Sequence, residues 1–148
     1  MKNQIVRLDK KMFSLQKDNI YKCTMDLVKQ DNNLSEKIIN NMEKFLNDES
    51  AIIYVSIVHD NIIGFVWGYF IQKHLIHINY FVVLHEYRGK KNGYDLLSAM
   101  TNMNKSCNFE LLVNIDNKKA IGFYEKFGFK QIKIINQKIK MKFGGEDS

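Results

Sequence analysis

A chain of 148 residues that is 45% hydrophobic has material for one ordinary core, which excludes a disordered or fibrous chain. Its 22 Lys+Arg against 16 Asp+Glu give a formal charge of +6, suited to an anionic cofactor, while the lack of an arginine-rich stripe argues against nucleic acid. Cys23 and Cys107 stand alone, so neither a zinc pattern nor a disulfide framework is present, and no metal site is expected. The N-terminus has no signal-peptide core, and no apolar run approaches the ~20 residues that span a bilayer. The expectation is a soluble, cytoplasmic single domain over 1–148, without membrane contact, acting as a monomer or homodimer.

Weak alternation predicts a first strand over Lys2–Leu8. Apolar residues at helical spacing predict one helix over Lys10–Asp31, irregular near Asp18-Asn19. After a turn at Asp31-Asn32-Asn33, Ser35 is the expected N-cap of a second helix, whose apolar face is Ile38, Ile39, Met42, Phe45 and Leu46. Asn47-Asp48-Glu49-Ser50 closes it. Ala51–Val58 and Ile62–Ile71 read as a hairpin, with Gly64 and Gly68 marking a bulge or a close backbone approach. Leu75–Val83 is the next strand, followed by a helix from Gly93 to about Lys105. Phe109–Asn114 is a short strand and Asn117–Phe127 a helix ended by Gly128. Lys130–Asn136 and Lys138–Phe143 form a last hairpin, and 144–148 a frayed tail. The order β-α-α-β-β-β-α-β-α-β-β implies an α/β (α+β) fold: a mixed, mostly antiparallel sheet flanked by about four helices.

The junction between Val83 and Gly93 carries the clearest chemistry. A strand that ends in a short glycine-containing turn and feeds straight into a helix presents free backbone N–H groups at the positive end of the helix dipole. Arg88, Lys90 and Lys91 add side-chain charge. Such a junction binds phosphate.

Residues Tyr87-Arg88-Gly89-Lys90-Lys91-Asn92-Gly93 resemble the pyrophosphate loop of the GNAT superfamily of N-acetyltransferases, Gln/Arg-x-x-Gly-x-Gly/Ala. Arg88 takes the first position and Gly93 the last. Lys91 replaces the middle glycine, so either position 91 is reached with negative φ or Gly89 absorbs the bend. Downstream, Asn117-Lys118-Lys119-Ala120-Ile121-Gly122-Phe123-Tyr124-Glu125-Lys126-Phe127-Gly128-Phe129 resembles the family's Asn-x-x-Ala-x-x-x-Tyr-x-x-x-Gly-Phe segment. The two blocks cover roughly the C-terminal half.

The resemblance implies acetyl transfer from acetyl-CoA to a primary amine of a small molecule, peptide or protein by direct attack. It implies a cofactor site at Arg88, Gly89, Lys90, Lys91, Asn92, Gly93 and Tyr94. The backbone of Phe81, Val82 and Val83 is implied to hold the pantetheine arm, added like an extra strand. Asn117 is implied as a cofactor contact or helix cap. Tyr124 is implied as the general acid for the leaving thiolate. Period-2 alternation puts His77, Asn79, Phe81 and Val83 on one face of their strand, and His77 is the candidate base. Glu86 and Glu110 are the carboxylate alternatives. The acceptor side is expected to draw on the first two helices and the last hairpin, with Tyr21, Asp26, Asp31, Trp67, Tyr69 and Tyr80 nearby. Two other readings stand beside this one: a coenzyme A-binding regulatory or assembly module, and an acetyltransferase acting on aminoacyl-tRNA.

Overall fold

The computed structural model describes residues 3–48 and 50–144. Its elements are β1 (Gln4–Arg7), α1 (Lys10–Leu15), α2 (Lys17–Leu27), α3 (Asn32–Phe45), β2 (Ala51–Val58), β3 (Asn61–Gln72), β4 (Leu75–Val83), α4 (Asn92–Met103), β5 (Asn108–Asn114), α5 (Lys118–Phe127), β6 (Lys130–Ile135) and β7 (Lys138–Phe143). The seven strands form one sheet in the order β1-β2-β3-β4-β5-β7-β6. The pairing of β4 with β5 is parallel, and the other five are antiparallel. Apart from Gly144, the expected tail lies outside the described residues, as does Lys2 of the expected first strand.

Both faces of β2 and β3 are covered, which is why these strands read as continuous apolar runs rather than alternating ones. On one face α4 inserts Leu96, Leu97 and Met100, and α5 adds Ile121, against Ile52, Val66, Ile76, Ile78 and Met141. On the other, Phe13, Ile20, Cys23, Ile38, Ile39 and Met42 of α1–α3 pack on Ile53, Val55, Phe65, Trp67 and Val82. Each such side chain contributes about 1.5–3 kcal/mol when fully buried. Cys23 and Cys107 are both buried free thiols. Trp67 is core, 5.5 Å from the Tyr80 ring.

The single helix expected over Lys10–Asp31 is two helices, broken at Gln16 two residues before the expected irregularity. Five helices therefore flank the sheet among the described residues. The break has a tertiary cause. Gln16 Nε2 donates to the Asp60 carbonyl at 2.8 Å, and its Oε1 accepts from the Ile62 N–H at 3.2 Å. Bonding the β2–β3 turn in this way takes Gln16 out of helical geometry.

The N-cap of α3 is Asp31, not Ser35; the Asp31 carboxylate accepts from the Leu34 N–H at 3.2 Å. Ser35 is buried inside the helix and shares a hydrogen bond with the Thr24 hydroxyl. Burial of Ser35 beside a partner on α2 overrides its capping preference.

Gly64 and Gly68 are places of close approach. A Cβ on Gly64 would sit 2.7 Å from the Val82 carbonyl oxygen, and one on Gly68 would sit 2.8 Å from Ile76 Cγ2. Gly68 also faces a bulge. The β3–β4 register passes from Trp67↔Tyr80 to Gly68↔Ile78, leaving Asn79 as the extra residue.

Candidate active site

The bulge at Asn79 decides which side chains share a face. Ile76, Ile78, Phe81 and Val83 pack on the α4–α5 side, and Tyr80 and Val82 on the α1–α3 side. His77, between Ile76 and Ile78, points to the α1–α3 side, where its ring lies 5.5 Å from that of Tyr69. The expectation that His77 shares a face with Phe81 and Val83 is therefore wrong. One inserted residue reverses the alternation after Ile78.

Beyond the same point β4 and β5 part. Their parallel ladder runs only from Leu75↔Asn108 to Ile78↔Leu111. The edge of β4 from Asn79 to Val83 that would face β5 has no strand partner, so a wedge opens toward the end of β4. The Leu84 N–H bonds the Ile63 carbonyl of β3, so by alternation Val82 also faces β3, and Phe81 and Val83 turn their backbone groups to the wedge. The Val83 carbonyl is taken by Arg88, and the remaining groups are what an extended ligand would pair with.

The basic loop stands at the wide end of the wedge. Both Gly89 (φ 77°) and Lys91 (φ 67°) are left-handed. Neither sequence alternative holds alone: Lys91 does not escape to negative φ, and the bend is shared with Gly89. A lysine held there is strained by about 1 kcal/mol, and Lys91 is the N-cap residue of α4 with no side-chain capping bond. The first helical bond runs from the Asp95 N–H to the Lys91 carbonyl at 2.9 Å. The N–H groups of Asn92, Gly93 and Tyr94 thus precede the ladder and lack helical acceptors. Asn92 is buried, and its Nδ2 donates to the Tyr87 carbonyl at 2.9 Å, bracing the loop from behind. A Cβ on Gly93 would lie 3.5 Å from Phe81 and 3.7 Å from Phe123, so the start of α4 abuts both β4 and α5. Lys90, Lys91 and Tyr94 are exposed.

Arg88 has a different posture from a free phosphate ligand. Its Nε donates to the Val83 carbonyl at 2.7 Å, and its Nη2 reaches Asp26 Oδ1 at 3.0 Å. The other Asp26 oxygen accepts from the His85 N–H at 3.0 Å. Asp26 thus ties α2 to the loop. Asp31 is occupied as the α3 cap. Tyr21 shares a hydrogen bond with Asn32.

Tyr124 lies on the α4–α5 side, its ring 6.2 Å from Phe81 and 5.6 Å from Phe129. Burial among these rings pushes its phenol up to about 12, so it stays protonated at neutral pH. Asn117 is the N-cap of α5, accepting from the Ala120 N–H at 3.1 Å. Glu86 is exposed on the short 3₁₀ turn before the loop.

Across the sheet from Tyr124, His77 Nδ1 lies 2.8 Å from Glu110 Oε2, and Lys140 Nζ lies 3.3 Å from Glu110 Oε1. Burial raises the Glu110 carboxyl. The hydrogen bonds with His77 and Lys140, together with their charges, outweigh burial and hold it below the ordinary carboxylate range. A charged Glu110 accepts the Nδ1 proton, which leaves the lone pair of the neutral ring on Nε2. Sequence reasoning had Glu110 only as a rival to His77 and missed Lys140. Register makes them neighbours, since His77 pairs with Glu110 at the last-but-one rung before the strands part. Among the described residues no cluster of His, Cys, Asp or Glu could hold a metal ion, and no helix is long and apolar enough to cross a membrane.

A sheet split beside a helix N-terminus joins a free strand edge to a set of N–H groups without helical acceptors, a setting suited to an extended anionic ligand. The chain belongs to the Acetyltransferase (GNAT) family, whose model matches residues 15–129. That family uses acetyl-CoA. The chain is 32% identical over 105 residues to an N-alpha-acetyltransferase of Saccharolobus solfataricus; the match covers 61% of this chain and 63% of the relative. The PaiA N-acetyltransferase of Thermoplasma acidophilum, solved with coenzyme A, superposes with TM-score 0.79 at 18% identity, covering 98% of this chain and 100% of that one. An aminoglycoside 6'-acetyltransferase type Ii superposes with TM-score 0.79 at 17% identity, covering 95% and 96%. Equal likeness to both structures shows the fold and does not select an acceptor.

Proposed function

We propose that this chain transfers an acetyl group from acetyl-CoA to the α-amine of a peptide or protein. The split between β4 and β5, with the N-terminus of α4 at its mouth, is the observation that carries the reading. Likeness to the Saccharolobus solfataricus N-alpha-acetyltransferase favours an α-amine among primary amines.

The N–H groups of Gly89 to Tyr94 hold the pyrophosphate, and the free edge of Phe81–Val83 aligns the pantetheine arm. The bound cofactor supplies an activated thioester. His77 Nε2 takes the proton of the attacking amine, with Glu110 fixing tautomer and ring orientation. Tyr124, protonated and on the opposite face, gives its proton to the departing sulfur. Amine and thiol thus meet their proton partners from two sides of one sheet.

The test is acetyl-CoA turnover on a panel of peptides and small amines, read by thiol release and by mass-spectrometric location of the acetyl group. Acetylated peptide N-termini are the expected result. Binding of acetyl-CoA without transfer to any amine would overturn it in favour of a coenzyme A-binding module.

A further inference from the structure

The sheet face that carries Glu110 continues across β7 and β6 as a ladder of lysines. On β7, Lys138, Lys140 and Lys142 alternate with buried Ile139 and Met141, which face α4 and α5. The lysines therefore lie on the opposite side, as the Lys140–Glu110 pair requires. The β6–β7 register places Lys130 opposite Lys142 and Lys133 opposite Lys140. A bulge between Gln131 and Lys133 makes this possible. Without the extra residue, Ile132, alternation would send Lys133 to the other face.

Five lysines on two adjacent strands thus share one face, and Glu110 is the carboxylate among the described residues that pairs with any of them. Like charges directly opposite one another destabilise a strand pair. Lysines that only blunt a sheet edge belong on the edge strand. Three of these five are on β7, which is paired on both sides. Edge protection does not account for them, nor does solubility, since the same hairpin leaves Ile132 and Ile134 exposed.

We propose that this lysine ladder docks an acidic segment of the acceptor polypeptide, immediately following the N-terminal residue whose amine is acetylated. The proposal deepens the transfer reading and rests on it for the position of the amine. Strands lie about 4.8 Å apart, so the β7 lysines are about 5 Å and the β6 lysines about 10 Å from the Glu110 column. An extended peptide advances about 3.4 Å per residue. With its amine at His77 and Glu110, its second to fourth side chains lie over Lys140, Lys142, Lys133 and Lys130. A peptide fits better than nucleic acid. The patch is only two strands wide, and the whole chain has just two arginines, Arg7 and Arg88, the residue type preferred for phosphate recognition.

The experiment compares fluorescein-labelled peptides that share an N-terminal Ser and continue with Asp-Glu-Asp, Asn-Gln-Asn or Lys-Arg-Lys. Binding is followed by anisotropy and transfer by kcat/KM, on the full chain saturated with coenzyme A or acetyl-CoA respectively. The acidic peptide should bind about tenfold more tightly than the neutral one, the sum of a few exposed ion pairs. The advantage should shrink with salt. Reversing Lys130, Lys133 and Lys142 to Glu should invert the order, and the milder change of all three to Gln should abolish it. Lys140 is left alone because it contacts Glu110. Turnover of serine amide, which does not reach the ladder, should be unchanged in both variants. Equal binding of the three peptides overturns the docking surface, whatever the turnover. Transfer to the neutral peptide would meanwhile uphold the transfer reading, and normal acidic-peptide binding with no transfer would overturn that reading alone. Displacement of the acidic peptide by tRNA at lower concentration than by unlabelled acidic peptide would make the partner nucleic acid and overturn the proposal.

Discussion

His77 Nδ1 and Glu110 Oε2 meet at 2.8 Å across the parallel pairing of β4 with β5, one rung from the point where those strands separate. The pair is partly buried, with side-chain exposures of 16% and 10%. Glu110→Gln would leave the shape and remove the charge. The amide can present its NH₂ to the ring and favour the wrong tautomer. We expect kcat to fall about 10–100-fold, with a smaller change in KM for acetyl-CoA, as measured by steady-state kinetics.

The same carboxylate makes a stability prediction. Its folded-state pKa lies below the ordinary 4.5. Between the two values the folded chain binds fewer protons than the unfolded one, so stability rises with pH there. The contribution is full above about pH 4.5 and is lost as pH falls through the folded value. Denaturant titrations between pH 3 and 7 (about the range where carboxylates titrate) should show a shallower acid decline for Glu110→Gln. An identical decline would mean that Glu110 gains nothing from His77 and Lys140.

Tyr124→Phe separates packing from proton donation. No protein group among the described residues bonds the hydroxyl, so unfolding free energy should move by less than about 1 kcal/mol. On the proposed acceptor kcat should fall on the order of a hundredfold. With the phenol near 12, any alkaline limb due to this group lies near pH 12. A descending limb near neutral pH would have to come from another group. Wild-type turnover by the variant would reduce Tyr124 to a packing residue.

Asp26 holds both the Arg88 guanidinium and the His85 N–H. The ion pair is partly exposed, so by itself it is worth about 0–1 kcal/mol. Its larger effect should be on the loop. Asp26→Ala should weaken acetyl-CoA binding several-fold by calorimetry while shifting Tm little. Arg88→Lys should not preserve affinity, because an ammonium cannot reach Val83 and Asp26 together as the guanidinium fork does. Unchanged affinity in both variants would show that the loop holds its shape without this brace.

Gly93 tests the cofactor site directly. Its added Cβ would meet Phe81 and Phe123 at ordinary contact distances, so Gly93→Ala should fold. Gly93→Glu places negative charge at the helix N-terminus that the pyrophosphate would occupy. Acetyl-CoA at a hundredfold excess over its Kd should stabilise the wild-type chain by roughly 2.7 kcal/mol. Thermal shift should show this stabilisation lost in Gly93→Glu. A normal shift in that variant would move the cofactor elsewhere.

The sequence determined the elements and the two family blocks because both are local. β2, β4 and β7 begin and end where their apolar runs do, and turn chemistry around Gly89, Gly93 and Gly128 sits within a few residues of what it controls. The junction of β4 and α4 was legible for the same reason: a strand, a basic turn and a helix start are contiguous. What the sequence left open depends on contacts between distant segments. Gln16 breaks a helix because of the β2–β3 turn 44 residues away. Asp26 on α2 is held by Arg88, 62 residues on. The bulge at Asn79 carries no sequence mark of its own. It arises from how β4 fits β3, and it turns His77 away from Phe81 and toward Glu110 and Lys140. Period-2 alternation is a property of one strand. Which residues share a face after an inserted residue is a property of the pair, so tertiary structure alone decided it.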